Sequence, residues 1–290
     1  MKILFVINPH SGSSSSDKTI LRIHEVAALK EIDYKFLYTT GIEDDKAIQE
    51  ELLQYEPDRV VAGGGDGTIQ LVARNLMGTN IPIVLLPLGS ANGLATSLEI
   101  PHKKIESVDY VFDELRKTPL DLLRINGTHI CAHLADIGIN AMMVKEYEEA
   151  GDSGMIGYAK HLIHAIKETP LLHYTIKTEH GTMEQEGYML TFANAHMYGT
   201  GIHISDGSVC DGLFEIRNIQ KIAWGEAIKA GLTKFNVFVD KDMFSDVISC
   251  RHAEIFIDQK TDFQIDGEYM GQVDHLTIDI IPSAIHILIP

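Results

Sequence analysis

Arg59-Val-Val-Ala-Gly63-Gly64-Gly65-Asp66-Gly67-Thr68, followed by Ile69, Val72, Ala73, Leu76 and Met77 at helical spacing, is the stretch that decides how this chain is read. A short apolar run enters a cluster of glycines and leaves as an amphipathic helix, the grammar of a strand, turn and helix in a parallel sheet. Glycines let backbone N–H groups close around a phosphate, and the helix N-terminus adds donors and a favourable dipole. Asp66 would be a poor neighbour for a phosphate unless it held a metal ion or oriented another group, which points to a nucleotide with Mg2+. Taken alone, the triple glycine is also an ordinary tight turn. Its spacing is neither G-x-G-x-x-G nor G-x-x-x-x-G-K-[ST].

The neighbours repeat the pattern. Val84-Leu-Leu-Pro87-Leu-Gly89-Ser90-Ala-Asn92-Gly93-Leu94 ends another strand in glycine and polar caps, and Asn8-Pro9-His10-Ser11-Gly12 does so after the first strand. Each turn by itself is a helix cap; three together at one sheet edge exceed what turn chemistry demands. The first third of the chain alternates apolar runs (Lys2 to Asn8, Tyr34 to Thr39, Arg59 to Ala62, Ile83 to Leu86) with amphipathic segments (Thr19 to Leu29, Asp45 to Gln54, Thr68 to Met77). This predicts a β-α-β-α-β-α-β sheet with ligands where loops leave the carboxyl ends of its strands. A further helix carrying Ile105, Val108, Phe112 and Leu115 is expected to close the region before Pro119.

From there hairpins replace crossovers. Leu120 to Ile125 and Thr128 to Ile137 flank Asn126-Gly127, a dipeptide suited to a two-residue turn because both positions tolerate positive φ. Strand-like runs follow at Leu172 to Thr178, Tyr188 to Ala193, Leu213 to Asn218, Ala253 to Ile257, Phe263 to Ile265 and Leu276 to Ile281, interrupted by helices expected at Met155 to Glu168 and Ala223 to Val237. The fold class expected is α/β plus all-β: an α/β nucleotide domain over residues 1–119, which 283–290 could rejoin, and an antiparallel β-sandwich over 120–282 that completes an active-site cleft.

Composition narrows the classes. The 290 residues are 45% hydrophobic, enough for one large core or two medium ones. The cysteines Cys131, Cys210 and Cys250 have no metal-ligand spacing and imply free thiols in a reducing compartment, so a cytoplasmic protein is expected. No run approaches the roughly 20 apolar residues that span a bilayer. A net charge of -17 argues against nucleic acid as a partner and against a polybasic membrane anchor.

Gly64-Gly65-Asp66-Gly67-Thr68, with Asn8-Pro9-x-Ser11-Gly12 upstream and Pro87-x-Gly89-Ser90-x-Asn92 downstream, resembles the catalytic domain of the diacylglycerol and sphingosine kinase superfamily, whose nucleotide domain is similar to that of NAD kinase. Asp211-Gly212-Leu213 and Ile265-Asp266-Gly267-Glu268 extend the resemblance over the second half. The resemblance implies an ATP-dependent lipid kinase that transfers the γ-phosphate to the hydroxyl of diacylglycerol, a sphingoid base or another lipid-like alcohol, with transient contact at the membrane surface; a homodimer stays open. It implies that Gly63 to Thr68 cradle the phosphates, that Asn8, Ser11, Gly12, Gly89, Ser90 and Asn92 line the same pocket, and that Thr39 or Thr40 reaches the nucleotide. Asp66 would anchor the polar network, Asp266 would be the general base and Glu268 its support, and Ser208, Asp211 and Leu213 would form a Mg2+ site. From the residues alone, Asp266-Gly267 reads first as a hairpin turn, which a catalytic role does not exclude, and Asp211-Gly212 as a turn before a strand. This chain departs from the family pattern at Ser13, where a basic residue is usual, at Gly93, where an acid is usual, and at Cys210 beside Asp211. An NAD kinase-like enzyme with a soluble acceptor, or a catalytically weakened binding protein on the same scaffold, are the competing readings.

Overall fold

Ile3, Leu4, Phe5, Val6 and Ile7 are all at or below 2% exposure, so the first strand is covered on both faces, as a central parallel strand is. A computed structural model describes residues 1–11, 16–89, 92–101, 104–150, 164–165, 168–194, 197–198, 202–203, 208–220 and 247–290. The chain divides into two compact units, Met1–Asp121 with Ser283–Pro290, and Leu122–Pro282.

The first unit runs β1 (Lys2–Ile7), α1 (Ser16–Leu29), β2 (Asp33–Tyr38), α2 (Asp44–Tyr55), β3 (Arg59–Gly64), α3 (Asp66–Leu76), β4 (Ile83–Pro87), α4 (Gly93–Ser97) and α5 (Lys104–Tyr110). The sheet is parallel in the order β2, β1, β3, β4, and the C-terminal segment joins it with Ile287 paired to Ile83. Ile7 stands level with Tyr38 on one side and Gly63 on the other, so the carboxyl ends of β1, β2 and β3 are in line. The chain winds from β1 outward to β2, then back past β1 to β3, which makes the β1/β3 edge a switch point where ligands bind in such sheets.

The helix expected over 105–115 ends at Tyr110. The Phe112 and Asp113 amides bond back to Asp109 and Tyr110 in a closing turn, and the next strand starts at Arg116, so Pro119 lies inside a strand instead of after a helix.

The second unit comprises β5 (Arg116–Ile125, whose first residues belong to the first unit), β6 (His129–Cys131), β7 (Leu134–Gly138), α6 (Ile139–Ala150), β8 (Leu172–Thr178), β9 (Gly181–Gly187), β10 (Met189–Ala193), β11 (Met197–Tyr198), β12 (Ile202–His203), β13 (Phe214–Ile219), β14 (Ile248–Cys250), β15 (His252–Ile265) and β16 (Glu268–Ile289, which belongs to the first unit from Ser283 on). One layer reads β14, β13, β10, β7 and the second half of β15, whose Phe263 to Ile265 pair with β7. The other layer takes the first half of β15, which pairs with β8, and β8 pairs with β9. A register break between Phe256 and Thr261 lets one strand serve both layers. Leu190, Phe192, Phe214, Ile216, Ile255, Phe263 and Leu276 fill the space between, each 2% exposed or less.

The N-terminal α/β unit and C-terminal β-sandwich expected from the sequence are both present. Thr128 to Ile137, expected as one strand, is two, broken at Ala132 and His133. The helix expected at Ala223 to Val237, and all but three residues of that expected at Met155 to Glu168, lie outside the described residues. Helix α6 and strand β9 were not anticipated.

Candidate active site

At the end of β3 the absent side chains of two glycines are demanded by packing. A Cβ on Gly63 would meet Ile7 Cδ1 at 2.3 Å, and one on Gly64 would meet Thr68 Oγ1 at 2.1 Å. Gly65 differs. Its φ of -91° and ψ of -168° suit any residue, and a Cβ there would meet Gly89 Cα at 3.5 Å, an ordinary contact. Neither backbone nor packing requires glycine at 65: among the described residues only Gly89 Cα comes within 4 Å of a Cβ there, at the start of α3. The first amides of a helix have no partners within it, and the α3 dipole places partial positive charge there.

The turn after β4 is seated on this loop. The Leu88 and Gly89 amides donate to the Gly64 carbonyl at 2.9 and 3.2 Å. A Cβ on Gly89 would lie 2.5 Å from Gly65 Cα, so the two backbones touch. Asn92, in the left-handed region at φ 52°, accepts the Gly89 N–H at 2.9 Å through Oδ1 and donates to the Gly89 carbonyl at 2.8 Å. Its amide closes the turn as a peptide group would. The Asp66 carboxylate spans the two segments, accepting the Gly93 amide at 2.9 Å and the Leu94 amide at 3.2 Å. With glycine at 93 the carboxylate binds the backbone there in place of a side chain.

The third segment follows β1. The Asn8 amide donates to the Gly63 carbonyl at 2.9 Å, and Asn8 Oδ1 accepts the His10 amide at 2.9 Å while its carbonyl accepts the Ser11 amide at 3.2 Å. Thr39 continues the ladder from β2 by donating its amide to Ile7 at 2.9 Å. The Thr40 hydroxyl is held in its own turn, donating to the Ile42 carbonyl at 3.0 Å beside Asp44, whose carboxylate, at the first position of α2, accepts the Thr40 and Gly41 amides of the turn that precedes the helix. Asn8, Ser11, Thr39, Thr40, Gly63 to Thr68, Gly89 and Asn92 thus gather at one edge of one sheet; Gly12 and Ser90 lie outside the described residues.

In the second unit Asp266 and Gly267 form the turn between β15 and β16, with φ of 50° and 87°, the pair of positive values a two-residue hairpin turn needs. The Asp266 carboxylate is buried and accepts the amides of Ala132 at 2.7 Å, His133 at 2.9 Å and Leu134 at 3.0 Å. The Asp266 amide in turn donates to the Leu134 carbonyl at 2.8 Å. Burial pushes this carboxyl above its ordinary value, while the Ala132, Leu134 and His133 amides and the nearby His133 side chain pull the other way. The Cys131 thiol, 3.5 Å from Asp266 Oδ1, is pushed well up by burial and by that carboxylate. The three donor residues were missed in the sequence because nothing in Ala132-His133-Leu134 signals an anion nest. Glu268, at the start of β16, is exposed.

Asp211 is exposed, and its two oxygens accept the Ser208 amide at 2.8 Å and the Leu213 amide at 3.0 Å. Ser208 Oγ lies 3.4 Å from Cys210 Sγ. Oxygen donors of this kind suit a hard cation, and each carboxylate oxygen keeps a second lone pair. The number is short: one carboxylate, and among the described residues no group of three His, Cys, Asp or Glu side chains is placed to hold a metal ion. The set fits a cation that keeps much of its water.

Residues 2–125 match the family model of the diacylglycerol kinase catalytic domain, and residues 135–289 match that of the YegS C-terminal NAD kinase beta sandwich-like domain. The chain is similar to proteins of Yersinia pestis (strain Pestoides F) and Yersinia pseudotuberculosis serotype O:1b, each named "Probable lipid kinase YegS-like", at 27% identity over 257 residues, covering 85% of this chain and 84% of theirs. A solved structure described as a diacylglycerol kinase from Bacillus anthracis str. Sterne superposes with a TM-score of 0.73 at 17% identity, covering 100% of this chain and 97% of its own. A second structure from that organism gives a TM-score of 0.79 at 20% identity over 100% and 95%. At these identities the structures speak for the fold.

Proposed function

This chain belongs to the diacylglycerol kinase family of lipid kinases, phosphotransferases with an alcohol acceptor, and on that premise we propose that it transfers the γ-phosphate of ATP to the hydroxyl of a lipid alcohol such as a diacylglycerol or a sphingoid base. The observation that carries the reading is Gly65: a glycine that the fold itself does not need, at the mouth of a helix N-terminus, on a turn locked to its neighbour by Asp66 and Gly89. Bare backbone donors at such a place suit a polyphosphate.

In this reading Gly63 to Thr68 hold the triphosphate, with Asn8, Ser11, Gly12, Gly89, Ser90 and Asn92 around it and Thr39 in preference to Thr40, whose hydroxyl is already engaged. Asp66 positions, acting through the Gly93 and Leu94 amides. Asp266 takes the proton from the acceptor hydroxyl as its oxygen bonds to the γ-phosphorus and the bond from phosphorus to the bridging oxygen breaks, releasing ADP. Glu268 supports that step. A divalent cation, Mg2+ in this reading, would neutralise phosphate charge, and Ser208, Asp211 and the Leu213 carbonyl are the residues to hold a separate, structural one. Among the described residues no helix is long and apolar enough to cross a membrane, so contact with the acceptor at a membrane surface would be peripheral.

The test is transfer of label from [γ-32P]ATP to a panel of monoacyl- and diacylglycerols, sphingoid bases and NAD. Labelled lipid, lost in Asp266→Asn, is expected. Labelled NADP with no labelled lipid would transfer the assignment to a soluble acceptor, and no labelled product at all would leave a binding protein.

A further inference from the structure

Three aromatic residues alternate along β2, Tyr34, Phe36 and Tyr38, and alternation puts all three on one face of the sheet. The row is fixed at its near end. His24 on α1 meets the Tyr34 hydroxyl at 2.5 Å through Nδ1, and Phe36 packs on Phe5 of β1 with ring centroids 5.3 Å apart. Tyr38 continues the row nearly parallel to Phe36, at 5.8 Å and 13° between ring planes. There the row ends among the described residues: Tyr38 is 43% exposed, and its hydroxyl makes no hydrogen bond to a described residue. Among the described residues β2 is the edge strand, with β1 as its one strand neighbour.

Position gives this ring a use. Tyr38 pairs with Ile7, and Ile7 with Gly63, so the ring stands at the carboxyl edge of the sheet, level with the glycine turn and two strands away. At about 4.8 Å per strand that is roughly 10 Å, the order of the span from a triphosphate to its base in an extended nucleotide. Phe36 and Tyr38 are a stacked pair whose outer ring is half-exposed, and the free side of that ring offers a place to another flat ring.

We infer that Tyr38 is the platform on which the base of the bound nucleotide stacks. The inference rests on the kinase reading above and adds a binding residue to it. Stacking accepts any base because every base has a π-face, so Tyr38 contributes affinity for the nucleoside end without choosing adenine over guanine. Its hydroxyl is dispensable and its ring is not.

Calorimetric binding of ATP, GTP and tripolyphosphate to wild type, Tyr38→Ala and Tyr38→Phe tests this, with thermal melts to establish that each variant is folded. Tyr38→Ala is expected to weaken ATP and GTP roughly 5- to 100-fold and to leave tripolyphosphate, which has no base, unchanged; Tyr38→Phe should bind all three as wild type does. Unchanged ATP binding in Tyr38→Ala overturns the inference, as does equal weakening of tripolyphosphate, and in either case the nucleotide assignment stands because wild type binds ATP. If wild type binds neither ATP nor tripolyphosphate, both fall together.

Discussion

The Asp66 carboxylate accepts the Gly93 amide at 2.9 Å, 27 residues away in sequence, and through it holds the start of α4 against the start of α3. An acid at this point serves two helices: it lies in the first turn of α3, where negative charge is favoured, and it caps α4 from outside. Asp66→Ala is expected to cost about 1–2 kcal/mol in stability and to weaken ATP binding, with Asp66→Asn, which keeps one acceptor, in between. Urea unfolding beside ATP titration checks it. Equal stability of Asp66→Ala and wild type would mean that the two amide bonds do not hold the loop.

What the sequence made legible here was local. Gly63 to Thr68 and Gly89 to Asn92 advertise a strand, a bare turn and a helix because the residues that make each feature are adjacent, and Asn126-Gly127 states its own turn, with φ of 49° and 74°. What stayed hidden was made at a distance. Nothing between Thr128 and Ile137 says that the strand breaks at Ala132, because the partner that takes those amides is Asp266, 134 residues on. Ala253 to Ile257 and Phe263 to Ile265 read as separate strands because the polar residues Asp258, Gln259 and Lys260 interrupt the apolar pattern, yet β15 runs through them and changes layer there. Tyr38 was passed over because an aromatic at strand spacing looks like core until its exposure is known.

Two glycine substitutions separate folding from binding. In Gly89→Ala the new Cβ would press on Gly65 Cα at 2.5 Å, backbone against backbone, and a loss of about 1–3 kcal/mol is expected. In Gly65→Ala the nearest atom is 3.5 Å away and the backbone is extended, so stability should stay within about 1 kcal/mol of wild type while phosphate binding falls, the methyl group occupying the nucleotide's space. Gly127→Ala, in an open turn at φ +74°, is the control: it should lose about 1–2 kcal/mol of stability through strain alone and retain ATP binding. Retention of wild-type ATP affinity by Gly65→Ala would remove the observation on which the functional reading rests.

The Asp211 turn yields a test that needs no turnover. A cation bound by the folded state raises stability by RT ln(1 + [L]/Kd), so titrating Mg2+ into the nucleotide-free protein should raise Tm in wild type and fail to do so in Asp211→Asn. Because the Asp211 oxygens already accept the Ser208 and Leu213 amides, the turn has support without metal, and a Kd in the millimolar range is expected, as for sites with few carboxylates. Identical Tm shifts in wild type and Asp211→Asn would place any bound cation elsewhere.

Asp266 gives the pH dependence. Its folded-state carboxyl is raised above the ordinary value of 3.8 by burial, against the pull of the amides that donate to it, so the folded chain holds this proton more tightly than the unfolded one does. The stabilising contribution of that proton is complete below the unfolded-state value and is lost as pH rises through the folded one. Activity runs the opposite way over the same window, because a general base must be ionised: kcat/KM is expected to climb with an apparent pKa above 3.8. Asp266→Asn should lower turnover roughly 10²- to 10⁴-fold and cost about 1–3 kcal/mol near neutral pH, since an NH2 group would face donors that a carboxylate now satisfies. It should also remove the part of the dependence of unfolding free energy on pH that arises above 3.8 from this carboxyl. Should that dependence be identical in the two proteins, Asp266 does not titrate in this range; should Asp266→Asn keep wild-type turnover, the proton leaves the acceptor by another route.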